Sequence, residues 1–313
     1  MKRIFVLLLI CMLLVSCYGK EIPPDILPPD GGQKNPDDSI RDKSPEKEKE
    51  DLIYSDLETP DGIVRIHFLD VGQGDSAFVE LPDGRCMLID GSLRGMGEKI
   101  VPYIEKLGYY FLDFVVITHP HGDHIGGLIW VFNVMPVGCV YMTTAFHSTQ
   151  VYQTLMIQLF EQESTILFIG AGDTLVETEQ YAIKALAPYD ANDFNLNNTS
   201  IVLHLVFGQN AFMLMGDAEA ESEDLILENI QANVVKVGHH GSLTSSTDRL
   251  VSKINPQYAI ISCGAKNPYG HPISWVVDRW KEVGANVYRT DLHGNIVVES
   301  DGLDCTVTTQ KFA

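Results

Sequence analysis

From residue 61 onward, apolar and polar positions alternate with two periods. Val64, Ile66 and Phe68 are separated by Arg65 and His67, a two-residue period that predicts a strand with one buried face. Residues 76–81 and 86–90 flank Pro82-Asp83-Gly84, a turn tripeptide that predicts a hairpin. Over 98–107 the apolar residues recur at helical intervals and Gly108 follows, which predicts a helix and its stop. The apolar runs 114–117 and 137–142 read as buried strands. Residues 149–163 carry a long helical pattern, and strands are expected near 166–168, 174–176 and 181–187. The second half repeats the first in outline. It has a hairpin over 200–207 and 211–216, helices at 219–227, 247–254 and 274–283, and strands at 234–237 and 258–262. Short strands at 287–289, 296–299 and 305–309 close the chain. Strands alternating with helices in two halves place the domain in the α/β class.

Before residue 61 this periodicity is lost. Met1-Lys2-Arg3 is a short basic start, and residues 4–15 form an apolar run shorter than a comfortable bilayer span. Leu14-Val15-Ser16-Cys17 then resembles a bacterial lipobox, closing a signal peptide over 1–17. It implies cleavage before Cys17, lipidation of that thiol, and an extracytoplasmic protein anchored to a bacterial membrane. An uncleaved anchor and an ordinary secretory signal are the other readings. Residues 18–60 are rich in Pro, Asp, Glu and Lys and poor in aromatics, so they bury too little apolar surface to offset ordering. A disordered tether is expected there, with a charged partner-binding arm as the alternative. The folded domain is expected over 61–313.

Bulk numbers narrow the function. Of 313 residues 45% are hydrophobic, ample for a core. A formal charge of −20 argues against a generic electrostatic grip on nucleic acid, and leaves a local or metal-based contact open. No protein partner is indicated. Cys86, Cys139, Cys263 and Cys305 sit in or beside apolar runs without CxxC spacing and read as buried free thiols.

The candidate chemistry gathers after the strand at 114–117, in Thr118-His119-Pro120-His121-Gly122-Asp123-His124-Ile125-Gly126-Gly127. Pro and Gly end the strand, so the stretch reads as a loop at a strand tip with a helix starting near Ile125. Imidazole and carboxylate are ligands for zinc, manganese or iron. The spacing lets His119 and His121 reach one metal while Asp123 and His124 face a neighbouring site. A solvated His-rich loop is the alternative. Asp217, at the tip of an apolar strand, is either a carboxylate bridging two metals or an N-cap. His239 and His240 end another strand. Neighbours in extended chain point opposite ways, so one of them is expected to face the metals, His239 being preferred. Ser242 contacts a phosphate or caps a helix. Asp70 shares a glycine-containing turn with Asp75, and either orients a ligand histidine from behind or serves the turn. Asp90, ending the neighbouring strand, is a candidate for the same supporting role. His204 alternates with Leu203 and Leu205 and reads as a packed histidine. Arg289, Asp291 and His293 form a late loop suited to phosphate contact or to internal hydrogen bonds.

The HxHxDH order of His119, His121, Asp123 and His124 is the pattern of the metallo-β-lactamase superfamily. Phe68-Leu69-Asp70-Val71-Gly72-Gln73-Gly74-Asp75-Ser76, Asn197-Asn198-Thr199-Ser200, Gly216-Asp217-Ala218-Glu219, Val237-Gly238-His239-His240-Gly241-Ser242, Tyr269-Gly270-His271-Pro272 and Arg289-Thr290-Asp291-Leu292-His293-Gly294 follow in order. Together they resemble the soluble domain of ComEC-type DNA-uptake proteins, over roughly residues 63 to 310. The resemblance implies a four-layer αββα sandwich and two divalent metal ions, zinc or manganese. It implies a metal set of His119, His121, Asp123, His124, Asp217, His239 and His271, with His271 in the place of the last metal-site histidine. A plain turn histidine is its alternative. The superfamily usually supplies a third histidine to the first metal before the second-half hairpin. Here that region reads Asn195-Leu196-Asn197-Asn198-Thr199. The first metal is therefore expected to be loosely held or harder than zinc, and Asn198, Asp70 and Ser242 are carried as supporting or substrate contacts. The implied activity is hydrolysis of a phosphodiester in DNA outside the cytoplasm. Asp123 is then catalytic, and His271 or His240 protonates the leaving oxygen. Nucleic acid is then the substrate, and membrane contact runs through the lipid on Cys17. The alternatives are hydrolysis of another small-molecule or cell-envelope ester, thioester or lactam, and a non-catalytic surface binding protein.

Overall fold

The computed structural model describes residues 62–312, apart from 163 and 227–229. The leader, Cys17 and the expected tether over 18–60 lie outside the described residues.

Strands β1 (Val64–Phe68), β2 (Ala77–Glu80), β3 (Cys86–Ile89), β4 (Leu112–Ile117), β5 (Val137–Met142) and β6 (Thr165–Phe168) lie side by side in one sheet. Helices α1 (Gly97–Lys106), α2 (Gly122–Ile125), α3 (Leu128–Val134) and α4 (Gln150–Glu161) connect its later strands, and β3 to β6 run parallel. The chain then crosses to a second sheet through β7 (Thr174–Glu177) and β8 (Tyr181–Ala187). There β9 (Val202–Phe207) and β10 (Asn210–Leu214) pair antiparallel. Strands β11 (Val234–Lys236), β12 (Tyr258–Ile261) and β13 (Asn286–Arg289) extend this sheet parallel to β10. Helices α5 (Ala220–Leu225), α6 (Asp248–Ile254) and α7 (Ser274–Glu282) and the single turn α8 (Thr290–His293) link them.

The two-residue period of β1 sends Val64, Ile66 and Phe68 between the sheets, where they join Leu203, Leu205 and Phe207 of β9 in one core. Each such fully buried side chain contributes about 1.5–3 kcal/mol. On the other face of the first sheet, Leu88, Val115 and Val140 pack under Ile100, Val131 and Leu155 of α1, α3 and α4. Outside the second sheet, Val235, Ala259 and Ile261 pack under Leu250, Val251 and Trp280 of α6 and α7. The product is a helix–sheet–sheet–helix sandwich, the α/β architecture that the resemblance implied. His204 packs as expected, buried with Nε2 at 3.1 Å from Gln231 O. Cys86, Cys139, Cys263 and Cys305 are free thiols.

Two expectations change. The second half does not simply repeat the first: β14 (Ile296–Ser300) and β15 (Cys305–Thr309) return to the first sheet, where β14 pairs antiparallel with β1. The metal loop is helical earlier than its breakers suggest, because α2 starts at Gly122 rather than near Ile125. Asp123 and His124 therefore sit on a helical turn instead of a loop.

Candidate metal centre

Parallel strands bring their carboxyl ends to one rim of each sheet, and ligand-bearing loops collect there. Strand β4 delivers Thr118 to His121, β10 delivers Asp217, β11 delivers His239 and His240, and β3 delivers Asp90. Ligand atoms of Asp123, His124, Asp217 and His240 all lie within 4.8 Å of one another. His124 Nε2 is 3.1 Å from Asp217 Oδ2, and His240 Nε2 is 3.5 Å from both Asp217 Oδ2 and Asp123 Oδ2. His124, Asp217 and His240 are buried. His124 Nε2, His240 Nε2 and Asp217 Oδ1 have no hydrogen-bond partner. Convergent nitrogen and carboxylate atoms left without partners are a donor set that a divalent metal fits.

The rings are aimed from behind. His124 Nδ1 lies 2.7 Å from Asp90 Oδ2, and Asp90 Oδ1 accepts from Thr118 N at 2.9 Å. His240 Nδ1 faces Ser262 O at 3.1 Å and Asp75 Oδ1 at 3.3 Å. Each ring thus turns Nε2 into the cluster, the usual orientation of a metal-binding imidazole. Charge follows from this packing. Burial alone would raise the Asp217 carboxyl, but His124 and His240 outweigh it and hold it well below the carboxylate range. Burial opposes charge on His240 too, yet Asp217 and Asp75 lift it to about 10.

His119 and His121 form the adjoining pair, with His119 Nε2 at 3.0 Å from His121 Nδ1 and 3.9 Å from Asp217 Oδ2. Ser200 Oγ stands behind His119 Nδ1 at 3.3 Å. No third imidazole joins this pair in a close ligand group among the described residues. Asn198, carried from the sequence as a supporting or substrate contact, faces away. Its Oδ1 accepts from Glu219 N and its Nδ2 donates to Glu221 Oε2, because the 3-10 turn Leu196–Thr199 directs neighbouring side chains differently. Asn197 lines the cavity in its stead. Its Nδ2 donates to Glu219 Oε1 at 2.8 Å, leaving Oδ1 without a partner.

Other assignments shift for similar reasons. His239 and His240 were expected to point apart, but they are not in extended chain. Their φ angles of 46° and 53° are left-handed, so both rings turn toward Asp217. His240 joins the four-residue cluster. His239 reaches Asp217 Oδ2 only at 3.9 Å, with Nδ1 at 3.0 Å from Glu219 Oε1. His271 lines the cavity, stacked on Tyr269 with ring centroids 5.8 Å apart. Ser242 Oγ is 3.0 Å from Thr244 Oγ1, which in turn touches His239 Nδ1, so it stands behind His239 rather than in the cavity. Asp70 does not back a ligand histidine. It pairs with Lys311 at 3.1 Å on the rim of the first sheet, and Asp75 and Asp90 take the supporting role. Arg289 and Asp291 pair with each other, and His293 Nδ1 bonds to the Arg289 backbone.

Sequence reasoning missed Lys236 and Glu219. Lys236 is a buried cation that donates to Asp75 and, at 2.9 Å, to Gly216 O. Its signal was there: one lysine inside the apolar strand Val234-Val235-Lys236-Val237. Glu219 gathers Asn195, Asn197, Thr244 and His239 around one carboxylate, contacts between distant segments that spacing does not reveal. Above the cluster lies a cavity of about 300 Å³, with Gln73, Asp123, Asn197, Asp217, Tyr269 and His271 in its walls.

The sequence pattern of the metallo-β-lactamase superfamily matches residues 69–142, which include His119 to His124 and Asp75. The chain is also 32% identical over 251 residues to ComE operon protein 3 of Bacillus subtilis, covering 74% of this chain and 32% of that protein. The chain carries a metallo-β-lactamase domain. It is 28% identical over 270 residues to Recombination protein 2 of Haemophilus influenzae, covering 84% of this chain and 32% of that protein. The chain thus spans about a third of the length of the curated relatives it matches. CmlA, a diiron β-hydroxylase from Streptomyces venezuelae, shares the fold with a TM-score of 0.52 and 15% identity, over 76% of this chain and 54% of that one. The metallo-β-lactamase fold is generally hydrolytic and typically binds two divalent metals. Its His and Asp cluster here is able to hold metal.

Proposed function

We propose that this metallo-β-lactamase domain is a phosphodiesterase acting on DNA outside the cytoplasm. The observation that carries the reading is the cluster of Asp123 with buried His124, Asp217 and His240 opening into the cavity, in a domain similar to ComE operon protein 3. His119, His121 and Asn197 Oδ1 would hold a first divalent ion, and Asp123, His124 and His240 a second, with Asp217 between them. Bound there, the ions would supply Lewis acidity and an activated water. Ser262 O and Asp90 fix the rings of His240 and His124, with Asp75 facing His240 as a counter-charge. His240 belongs to the ligand cluster, so its Nε2 is not free to protonate a leaving oxygen. His239 is better placed. Glu219 anchors its Nδ1, and Nε2 remains turned into the cavity, where a proton can pass to the leaving oxygen.

One observation favours another substrate. No lysine or arginine is among the described residues lining the cavity, and the chain carries a formal charge of −20. That suits a smaller ester, thioester or lactam. The test is a panel on metal-reconstituted protein: single- and double-stranded DNA, bis(4-nitrophenyl) phosphate, a lactam, a lactone and a thioester. Cleavage of DNA and the phosphate diester, lost in His239→Ala, is expected. Turnover of only the non-phosphate substrates would reject the proposal. Location rests on Leu14-Val15-Ser16-Cys17, and among the described residues no helix is long and apolar enough to cross a membrane. Cys17→Ala should move the protein out of the membrane fraction or block its processing. Unchanged fractionation, size and lipid labelling would count against the anchor.

A further inference from the structure

Outside the four-residue cluster, three atoms of cavity-lining residues are buried without a hydrogen-bond partner: Gln73 Nε2, Asn197 Oδ1 and His271 Nδ1. They make different demands. An asparagine oxygen accepts, and a histidine Nδ1 takes either role by tautomer. The Gln73 amide nitrogen can only donate, and it has no lone pair for a metal. Its assignment is fixed, because Gln73 Oε1 accepts from Gly264 N at 3.2 Å, so the nitrogen occupies the other position.

The chain holds this amide with close backbone contacts. Ser92 Oγ donates to Gln73 O at 3.3 Å, and Asp75 N donates to Asp123 O at 3.2 Å. Glycine is needed on both sides of the contact. A Cβ on Gly264 would lie 2.6 Å from Gln73 N, and one on Gly74 would lie 2.3 Å from Asp123 O. The turn is thus pressed between the β12 exit and the metal loop. The nearby carboxylates do not use the donor: Asp217 Oδ2 lies against His124 and His240, and Asp123 Oδ2 against His240. A buried N–H without an acceptor costs about 1–3 kcal/mol, so an acceptor that arrives with a ligand would recover that cost.

We infer that Gln73 is a substrate-binding residue whose Nε2 donates to an anionic oxygen of the phosphoryl class held in the cavity. The choice of a phosphoryl oxygen rests on the phosphodiesterase reading. The donor itself rests on the geometry of the turn. A fixed amide there offers a hydrogen bond to a ligand oxygen without placing a cation beside the metal ligands.

The test titrates metal-loaded protein with inorganic phosphate by calorimetry, with metal content measured on the same samples. Wild type is compared with Gln73→Ala and with Gln73→Met, which keeps the side-chain length and removes the donor. The phosphate dissociation constant should rise about tenfold in both variants with metal content unchanged, the loss expected for one hydrogen bond to a charged group. Unchanged phosphate affinity in fully metallated variants, or no phosphate binding by the wild type, overturns the inference. Loss of metal in both variants overturns it as well, by showing that Gln73 serves the metal loop. If phosphate binding depends on Gln73 but no phosphodiester is cleaved, the inference stands and the phosphodiesterase reading falls.

Discussion

Replacing Lys236 by Met isolates one electrostatic contact behind the metal centre. Lys236 and Asp75 pair inside the sandwich with side chains 6% and 8% exposed, so water screens them little. Burial pushes the Asp75 carboxyl up, and Lys236, the first charge opposing that, brings it below its ordinary value. Lys236→Met keeps the length and apolar stem of the side chain but leaves Asp75 as a buried carboxylate without its main counter-charge. Breaking one side of such a pair costs about 3–5 kcal/mol. For a domain of this size each kcal/mol moves the melting midpoint about 2–4 °C, so a fall of roughly 6–20 °C is expected. The double variant Asp75→Asn/Lys236→Met removes both charges and should regain most of the loss. Metal binding should not recover with it. Asp75 also faces His240 Nδ1 at 3.3 Å, and Lys236 holds Gly216 O, next to Asp217. The assay is thermal unfolding of chelated and metal-loaded protein for the wild type, both single variants and the double variant. A loss below about 1 kcal/mol in Lys236→Met would refute the reasoning, because the pair would then not be desolvated as its burial requires.

Three further outcomes follow from the same geometry. Asp123→Ala should remove hydrolysis and the more tightly held metal together, as measured by metal content after mild chelation. Two equally tight metals in the wild type, or full activity in the variant, would contradict the ligand assignment. Asn197→His should tighten metal at the His119–His121 pair while Asn198→His should not, because Asn197 lines the cavity and Asn198 turns to Glu221. Equal chelator resistance of the two variants would reject that distinction. Away from the centre, the hydrogen bond from His67, helped by Tyr109 and opposed by burial, holds the Glu80 carboxyl below its ordinary value. Its folded value lies below its unfolded one, so its contribution is present above about pH 4.5 and is lost as pH falls through the lower folded value. Glu80→Gln should flatten that acid limb of the urea-unfolding midpoint. An identical acid dependence in the variant would show that the network is not linked to folding.

Sequence alone carried the signals that are local. Val64, Ile66 and Phe68 announce a strand because side chains alternate across it, and they do enter the inter-sheet core. His119, His121, Asp123 and His124 announce metal chemistry because the ligand types sit together in a short segment after a strand. The layer order came from the resemblance, since α/β alternation does not say that β14 and β15 return to pair beside β1.

Tertiary structure decided which way the other candidate side chains face and what stands behind them. His239 and His240 both turn to Asp217 because their backbone is left-handed, and residue order does not reveal that. Asn197 rather than Asn198 reaches the cavity because one 3-10 turn rotates the two side chains apart. Asp90 rather than Asp70 backs His124 because β3 and β4 are parallel neighbours, which sets Asp90 beside Thr118. Lys236 meets Asp75, 161 positions away in the chain, only once the two sheets have closed on each other. Spacing along the chain specifies ligand types. The direction of a side chain depends on φ and ψ at single residues and on partners brought in from distant strands.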